Sequence, residues 1–287
     1  MQTYDLLFKK LCIFALLSPL LGATGAWAQP LAYAESNGNL YSVDLATGVD
    51  TLIGDLGITD EDESDVEALA VDPTSGTLYL AADDGGLYTV DTGSGAATLI
   101  GLLGQESGNS GMAIDGSRNI YLVTSDGLLS VDKTTGAATV IATDYDNPDT
   151  TGEGLSGGAF VGSTLYGSPD NDAAPNLYSI DVTTGKATTI GPLGPGIGIE
   201  GEQTGLTYDA NTDTLYLLDE DTSSFYTVDY TTGAATLLSV FSRGFEGIAL
   251  ASAGNPNLTV PVPTLPWLAL AILSGLITLV GFRRLRN

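Results

Sequence analysis

The sequence predicts an all-β fold of five four-stranded blades closed into a ring. Three observations predict it. A phrase of the form Leu-Tyr-Ser/Thr-Val-Asp-x-x-Thr-Gly recurs five times, beginning at Leu40, Leu87, Leu128, Leu177 and Phe225. The intervals between copies are 47, 41, 49 and 48 residues, the period of a four-stranded blade rather than of a helical or leucine-rich array. The first unit also lacks an inner strand while a surplus one follows the last unit. Together these give a five-bladed β-propeller closed by one C-terminal strand; an open solenoid is the alternative.

The N-terminal segment, residues 1–28, reads as a secretory signal peptide. It has Lys9 and Lys10, an apolar run from Leu11 to Leu21, and the small residues Ala26 and Ala28 before Gln29, the three parts of such a leader. The apolar run is too short for the ~30 Å hydrocarbon layer, which weighs against an N-terminal anchor. Cys12, the only cysteine, falls inside this segment. The chain from Gln29 onwards therefore has no thiol, disulfide or cysteine-held metal.

The propeller is expected over 29–252. In its second blade the strands read Glu67–Asp72, Thr77–Leu80, Leu87–Asp91 and Ala96–Ile100, separated by turns at Pro73–Gly76 and a loop from Ala81 to Gly86. Alternation at period two puts Tyr88 and Val90 on one side and Leu87 and Thr89 on the other. Their equivalents, Tyr41/Val43, Leu129/Val131, Tyr178/Ile180 and Tyr226/Val228, are core between blades rather than a stacking platform. Asp44, Asp91, Asp132, Asp181 and Asp229 end the third strand of each unit. There a carboxylate accepts backbone N–H groups across the turn and a closing glycine takes positive φ. Asp209-x-Asn211-x-Asp213 has the look of a calcium loop. It aligns with the first turn of the other blades and lacks the glycine and bidentate glutamate that an EF-hand requires. In the first unit Leu31–Ala34 matches a second strand, and Glu246–Ala251 supplies the first strand it lacks. Pairing them removes an exposed edge.

Between Gln29 and Val260 lie 34 acidic residues against four basic ones, Arg118, Lys133, Lys186 and Arg243. This net −30 excludes nucleic acid, which needs clustered Lys and Arg, and disfavours anionic lipid. The loops between second and third strands and the connections into the inner strands emerge on one face, which carries 23 of those acids, offset by Arg243 alone. At the mouth of the central channel Glu246, Glu67, Ser110, Ser156 and Thr204 take equivalent positions around the ring. Glu202 and Asp65 stand two residues before theirs. Asp65, Glu67, Glu202 and Glu246 are the expected ligands of a hard cation, Ca2+ being the one whose flexible oxygen coordination suits loops. A merely solvated acidic rim is the alternative.

Beyond the propeller, 253–264 is a Pro-rich linker and 265–287 an apolar segment ending in Arg283, Arg284 and Arg286. Sixteen uncharged residues from Trp267 to Phe282 reach ~24 Å as a helix, short for a permanent span; the arginines would stay cytoplasmic. Val262, Pro263, Thr264, Leu265 and Trp267, the short span and the basic end resemble the PEP-CTERM and IPTL-CTERM sorting tails of exported proteins in Gram-negative bacteria. Pro266 departs from that pattern. The resemblance implies an exosortase-like processing enzyme, cleavage near the motif and delivery to the cell surface or beyond. A plain membrane anchor is the alternative, and in either case the membrane is met through this tail only. The repeats resemble the Leu-Tyr-x-Val-Asp repeats of bacterial exported proteins, which implies architecture alone.

With no histidine in the chain, the Ser-His-Asp triad and most zinc and copper sites are excluded. Carboxylate chemistry and oxygen-held metal survive. The expectation is a non-catalytic surface module that binds or supports structure, with Ca2+, a surface glycan or another protein as ligand and no catalytic residue. The alternative is a carboxylate- or Ca2+-dependent enzyme of glycosidase, lyase or lactonase type.

Overall fold

Short apolar runs bounded by Asp, Gly and Thr turns pair into hairpins wherever the repeat places them. The computed structural model describes residues 31–58, 68–105, 110–150, 154–169, 175–195, 197, 204–220 and 222–251. The leader, linker and tail assignments lie outside the described residues. In chain order the strands are β1 (Leu31–Ser36), β2 (Asn39–Asp44), β3 (Val49–Asp55), β4 (Ala68–Val71), β5 (Leu78–Ala81), β6 (Gly86–Val90) and β7 (Ala97–Leu102). There follow β8 (Ser110–Ile114), β9 (Ile120–Thr124), β10 (Gly127–Val131), β11 (Ala138–Ala142), β12 (Leu155–Val161), β13 (Thr164–Pro169), β14 (Asn176–Ile180) and β15 (Ala187–Pro192). The last are β16 (Thr204–Asp209), β17 (Thr214–Asp219), β18 (Ser224–Val228), β19 (Ala235–Val240) and β20 (Gly247–Leu250).

They form five antiparallel four-stranded sheets: β20-β1-β2-β3, β4-β5-β6-β7, β8-β9-β10-β11, β12-β13-β14-β15 and β16-β17-β18-β19. The inner strands β20, β4, β8, β12 and β16 contact one another in turn around the ring. The fold is a closed five-bladed β-propeller. β20 pairs with β1 in the register Ala32↔Leu250 to Glu35↔Gly247, so the two ends of the described chain make one blade, as expected. Neither end leaves an unpaired inner edge.

Five apolar clusters fill the five interfaces between blades, one per interface. Tyr88 and Val90 pack toward the first blade while Leu87 packs toward the third, the alternation the sequence predicts. At about 1.5–3 kcal/mol for each fully buried Leu or Tyr-sized group, these interfaces hold the ring without covalent help. The predicted turn role of the five aspartates also stands. The N–H of Ala46, Gly93, Thr134, Thr183 and Thr231 each donates to the aspartate two residues before it. Asn211 does the same to Asp209, making that motif a turn.

Candidate functional site

The inner strands begin on one face of the ring, and their register fixes what lies there. Gly247, Gly111, Gly157 and Gly205 stand opposite Glu35, Val123, Ser168 and Leu218, and Ala68 opposite Ala81. The residues just before them, Glu246, Ser110, Ser156 and Thr204, therefore do occupy equivalent positions around the mouth. Asp65, Glu67 and Glu202 lie outside the described residues. Small residues are required here because the inner strands approach closely. A Cβ on Gly111 would stand 2.4 Å from the Ser156 carbonyl oxygen. Ser110 and Ser156 are each only 1 % exposed.

The face is less uniformly solvated than the acid count suggests. Glu35 and Asp219, counted among its 23 acids, are fully buried. β-Strand pairing carries both side chains beneath the loops, and counting residues by loop does not register this. The aromatic residues Tyr145 and Phe245 in the connections of this face are buried too. Arg243, the expected counter-charge of the face, instead binds Asp50 at 3.1 Å through Nη2. Its Nη1 donates to the Tyr41 hydroxyl at 2.8 Å. It thus joins the interface between the first and fifth blades.

Glu35 was not singled out by sequence, yet burial strongly perturbs its carboxyl. The tight Asn37-Gly38 turn, with φ of 53° and 73°, suits the two-residue hairpin between β1 and β2. It returns the Gly38 N–H to Glu35 Oε1 at 2.6 Å. No N–H or hydroxyl of the described residues reaches its other oxygen, Oε2. The Glu246 backbone N–H donates to the Glu35 carbonyl at 3.1 Å, which brings the Glu246 charge close to this carboxyl. Burial pushes the Glu35 carboxyl up, the Glu246 charge adds to that, and the Gly38 and Asn39 N–H groups oppose it; the net is about 9. Desolvation and a like charge act in the same direction here. The Asn-Gly turn and a glutamate two residues before it were readable in the sequence; the approach of Glu246 was not.

An open cavity of about 400 Å³ lies on the same face, between the third and fourth blades, lined by Ser125, Asp126, Thr143, Asp144, Tyr145 and Thr150. Tyr145 is its floor. The ring is buried and its hydroxyl lies 2.7 Å from the carbonyl oxygens of both Thr124 and Gly127, which ties the third blade's connection to its own β9–β10 turn. Asp126 and Asp144 stand at the rim, exposed. Carboxylates beside three hydroxyls suit a hard cation or the hydroxyls of a sugar. Among the described residues no group of three or more acidic side chains is arranged to hold a metal ion.

No protein-family model and no curated protein matches the chain. Solved structures similar to it include a chain of a nidogen/laminin complex, with a TM-score of 0.51 and 15 % identity over 77 % of this chain and 98 % of that one. Another is a protein of unknown function from Bacteroides thetaiotaomicron, with a TM-score of 0.50 and 18 % identity over 78 % of this chain and 67 % of that one. At such identities the likeness is one of fold.

Proposed function

We propose that this protein is an exported, non-catalytic β-propeller module of a Gram-negative cell surface whose acidic face binds Ca2+ and, with it, a surface glycan or protein. The leader at 1–28 supports export. The Val262–Leu265 motif with Trp267 and the basic end supports processing by an exosortase-like enzyme. The observation that carries the binding reading is the open cavity in which Asp126 and Asp144 stand beside the hydroxyls of Ser125, Thr143 and Thr150. Oxygen donors, two exposed carboxylates and a lining without Lys or Arg favour a hard cation, the adjoining Lys186 being engaged by Asp146. The carboxyl that a hydrolase or lyase would recruit as its acid, Glu35, is sealed from solvent at the junction of β1 and β20. A group that cannot meet substrate does not catalyse, which weighs against the enzymatic alternative.

Ca2+ titration by thermal unfolding, at matched ionic strength so that screening is held constant, tests the reading. At ~100-fold excess over Kd the native state gains roughly 2.7 kcal/mol. Asp126→Asn with Asp144→Asn is expected to abolish that gain. If instead Glu67→Gln with Glu202→Gln abolishes it, the cation sits at the channel mouth. No gain beyond that of sodium overturns the cation reading.

A further inference from the structure

We propose that the outer edges of the fifth, first and second blades form the interface through which two copies of this chain associate. Closing the ring removes inner edges only. The strands β3, β7, β11, β15 and β19 each end their sheet and turn a row of N–H and C=O groups outward. Among the described residues, every large hydrophobic side chain that is exposed lies on one of these strands. Six of the seven fall on three consecutive blades: Leu237 and Val240 on β19, Val49 and Leu52 on β3, Leu99 and Leu102 on β7, each between 52 % and 63 % exposed. The seventh, Val140, is on β11.

The fourth blade shows how this repeat guards an edge. At the positions equivalent to Val49, Leu52 and Val240 it has Lys186, Thr189 and Pro192, and lysine and proline are residues that keep an edge from pairing. The bulge in the outer strand does not distinguish the blades, because all five have it. β7 and β19 carry no charged residue, although Gln29 to Val260 holds 34 acids and four basic residues. On β3, Asp50 is paired with Arg243, which leaves Asp55 at the strand's end.

These apolar edges are continuous. The Ala97 N–H donates to the Leu56 carbonyl at 2.9 Å, so β7 begins where β3 ends. A Cβ on Gly48 would lie 2.7 Å from the Val240 carbonyl oxygen, so β3 begins where β19 ends. A two-fold axis at the middle of β3 sets that strand antiparallel to its copy and brings β19 of each copy towards β7 of the other, apolar edge to apolar edge. Such self-complementarity is what an isologous dimer requires. A standard interface takes about 800 Å² from each partner, a little over half of it apolar. Six Leu and Val side chains more than half exposed offer roughly 350 Å², most of that apolar share. Charge favours the same place, since two copies this acidic repel and an edge without carboxylates is where they can meet.

Sedimentation equilibrium of the exported protein from about 1 to 100 μM, at low and high NaCl, tests the proposal. A monomer–dimer equilibrium is expected, tighter at high salt because screening removes the repulsion. Leu52→Thr with Leu99→Thr is expected to weaken the dimer by about tenfold or more. The monomer stays folded, since the fourth blade already holds Thr189 at the equivalent position. With Cys12 replaced by serine, Leu52→Cys is expected to cross-link two copies under mild oxidation, and Thr189→Cys is not. A monomer throughout, a dimer indifferent to the double substitution, or equal cross-linking of the two cysteine variants overturns the proposal.

Discussion

A glycine in these turns meets two separate demands. Gly136 closes the turn between β10 and β11 at φ 80°, and a Cβ there would lie 2.6 Å from the carbonyl carbon and oxygen of Gly101 in the neighbouring blade. Gly95 meets Gly54, and Gly233 meets Gly191, in the same way. The repeat made the positive φ legible. The neighbour across the blade interface was not, because no local pattern encodes it. Gly57 provides the control: its φ is 71°, and nothing lies within 4 Å of its would-be Cβ. Gly57→Ala is expected to lose about 1–2 kcal/mol, the left-handed penalty alone, and Gly136→Ala a further 1–3 kcal/mol or so from overpacking. Urea midpoints of the two variants check the difference. Asp72 is a second residue whose partner was not legible. Burial pushes its carboxyl up, but the Arg118 guanidinium at 2.6 Å and the Thr74 and Ser75 N–H groups together outweigh that and hold it below the usual range. A depressed carboxyl contributes stability above its unfolded value and loses it as pH falls through the folded one. Acid unfolding below about pH 4 is therefore expected to shift to higher pH in Arg118→Met.

Each outer strand carries a bulge that alternation alone did not foretell. In all five blades the ladder between the third and fourth strands slips by one residue, passing over Ile53, Ile100, Ile141, Ile190 and Leu238. A bulge sets two consecutive residues against one partner and bends the strand. In four of the five blades it turns the second of two adjacent apolar residues inward, and in the fourth blade the first of the pair is Thr189. Ile100 packs against the interface between the second and third blades while Leu99 is 52 % exposed. The apolar composition of these strands was legible, and their start at Ala96 was placed to within a residue of the observed Ala97. Which apolar residue is buried was not, because a slip of one exchanges the faces. Ile100→Ala is expected to lose about 1–2 kcal/mol, a half-buried side chain's share of the transfer energy. Leu99→Ala is expected to stay within about 0.5 kcal/mol of the parent. The opposite order in thermal unfolding would show that the bulge does not form.

At the scale of the whole molecule, the repeat period carried the fold, and the strand missing at one end and spare at the other carried its closure. The site was less legible. The positions of Ser110, Ser156, Thr204 and Glu246 around the mouth follow from strand register, which the repeat encodes. The burial of Glu35 and Asp219, the diversion of Arg243 to Asp50 and the cavity over Tyr145 arise from packing between blades distant in sequence. Intact-mass measurement on protein from the native host is expected to find Gln29 as the first residue and an end near Val262–Leu265; a chain with Met1 and Asn287 on exported material would contradict the processing proposal. The central structural claim is that β1 and β20 close one blade. Ala32 and Leu250 face each other across that pair, within reach of a disulfide, whose Cα atoms lie about 4.4–6.8 Å apart. With Cys12 replaced by serine, Ala32→Cys and Leu250→Cys are expected to form an intramolecular disulfide under mild oxidation and to raise Tm, since the bridge closes a very long loop of the unfolded chain. Two free thiols in the folded, oxidised protein with Tm unchanged would contradict the closure.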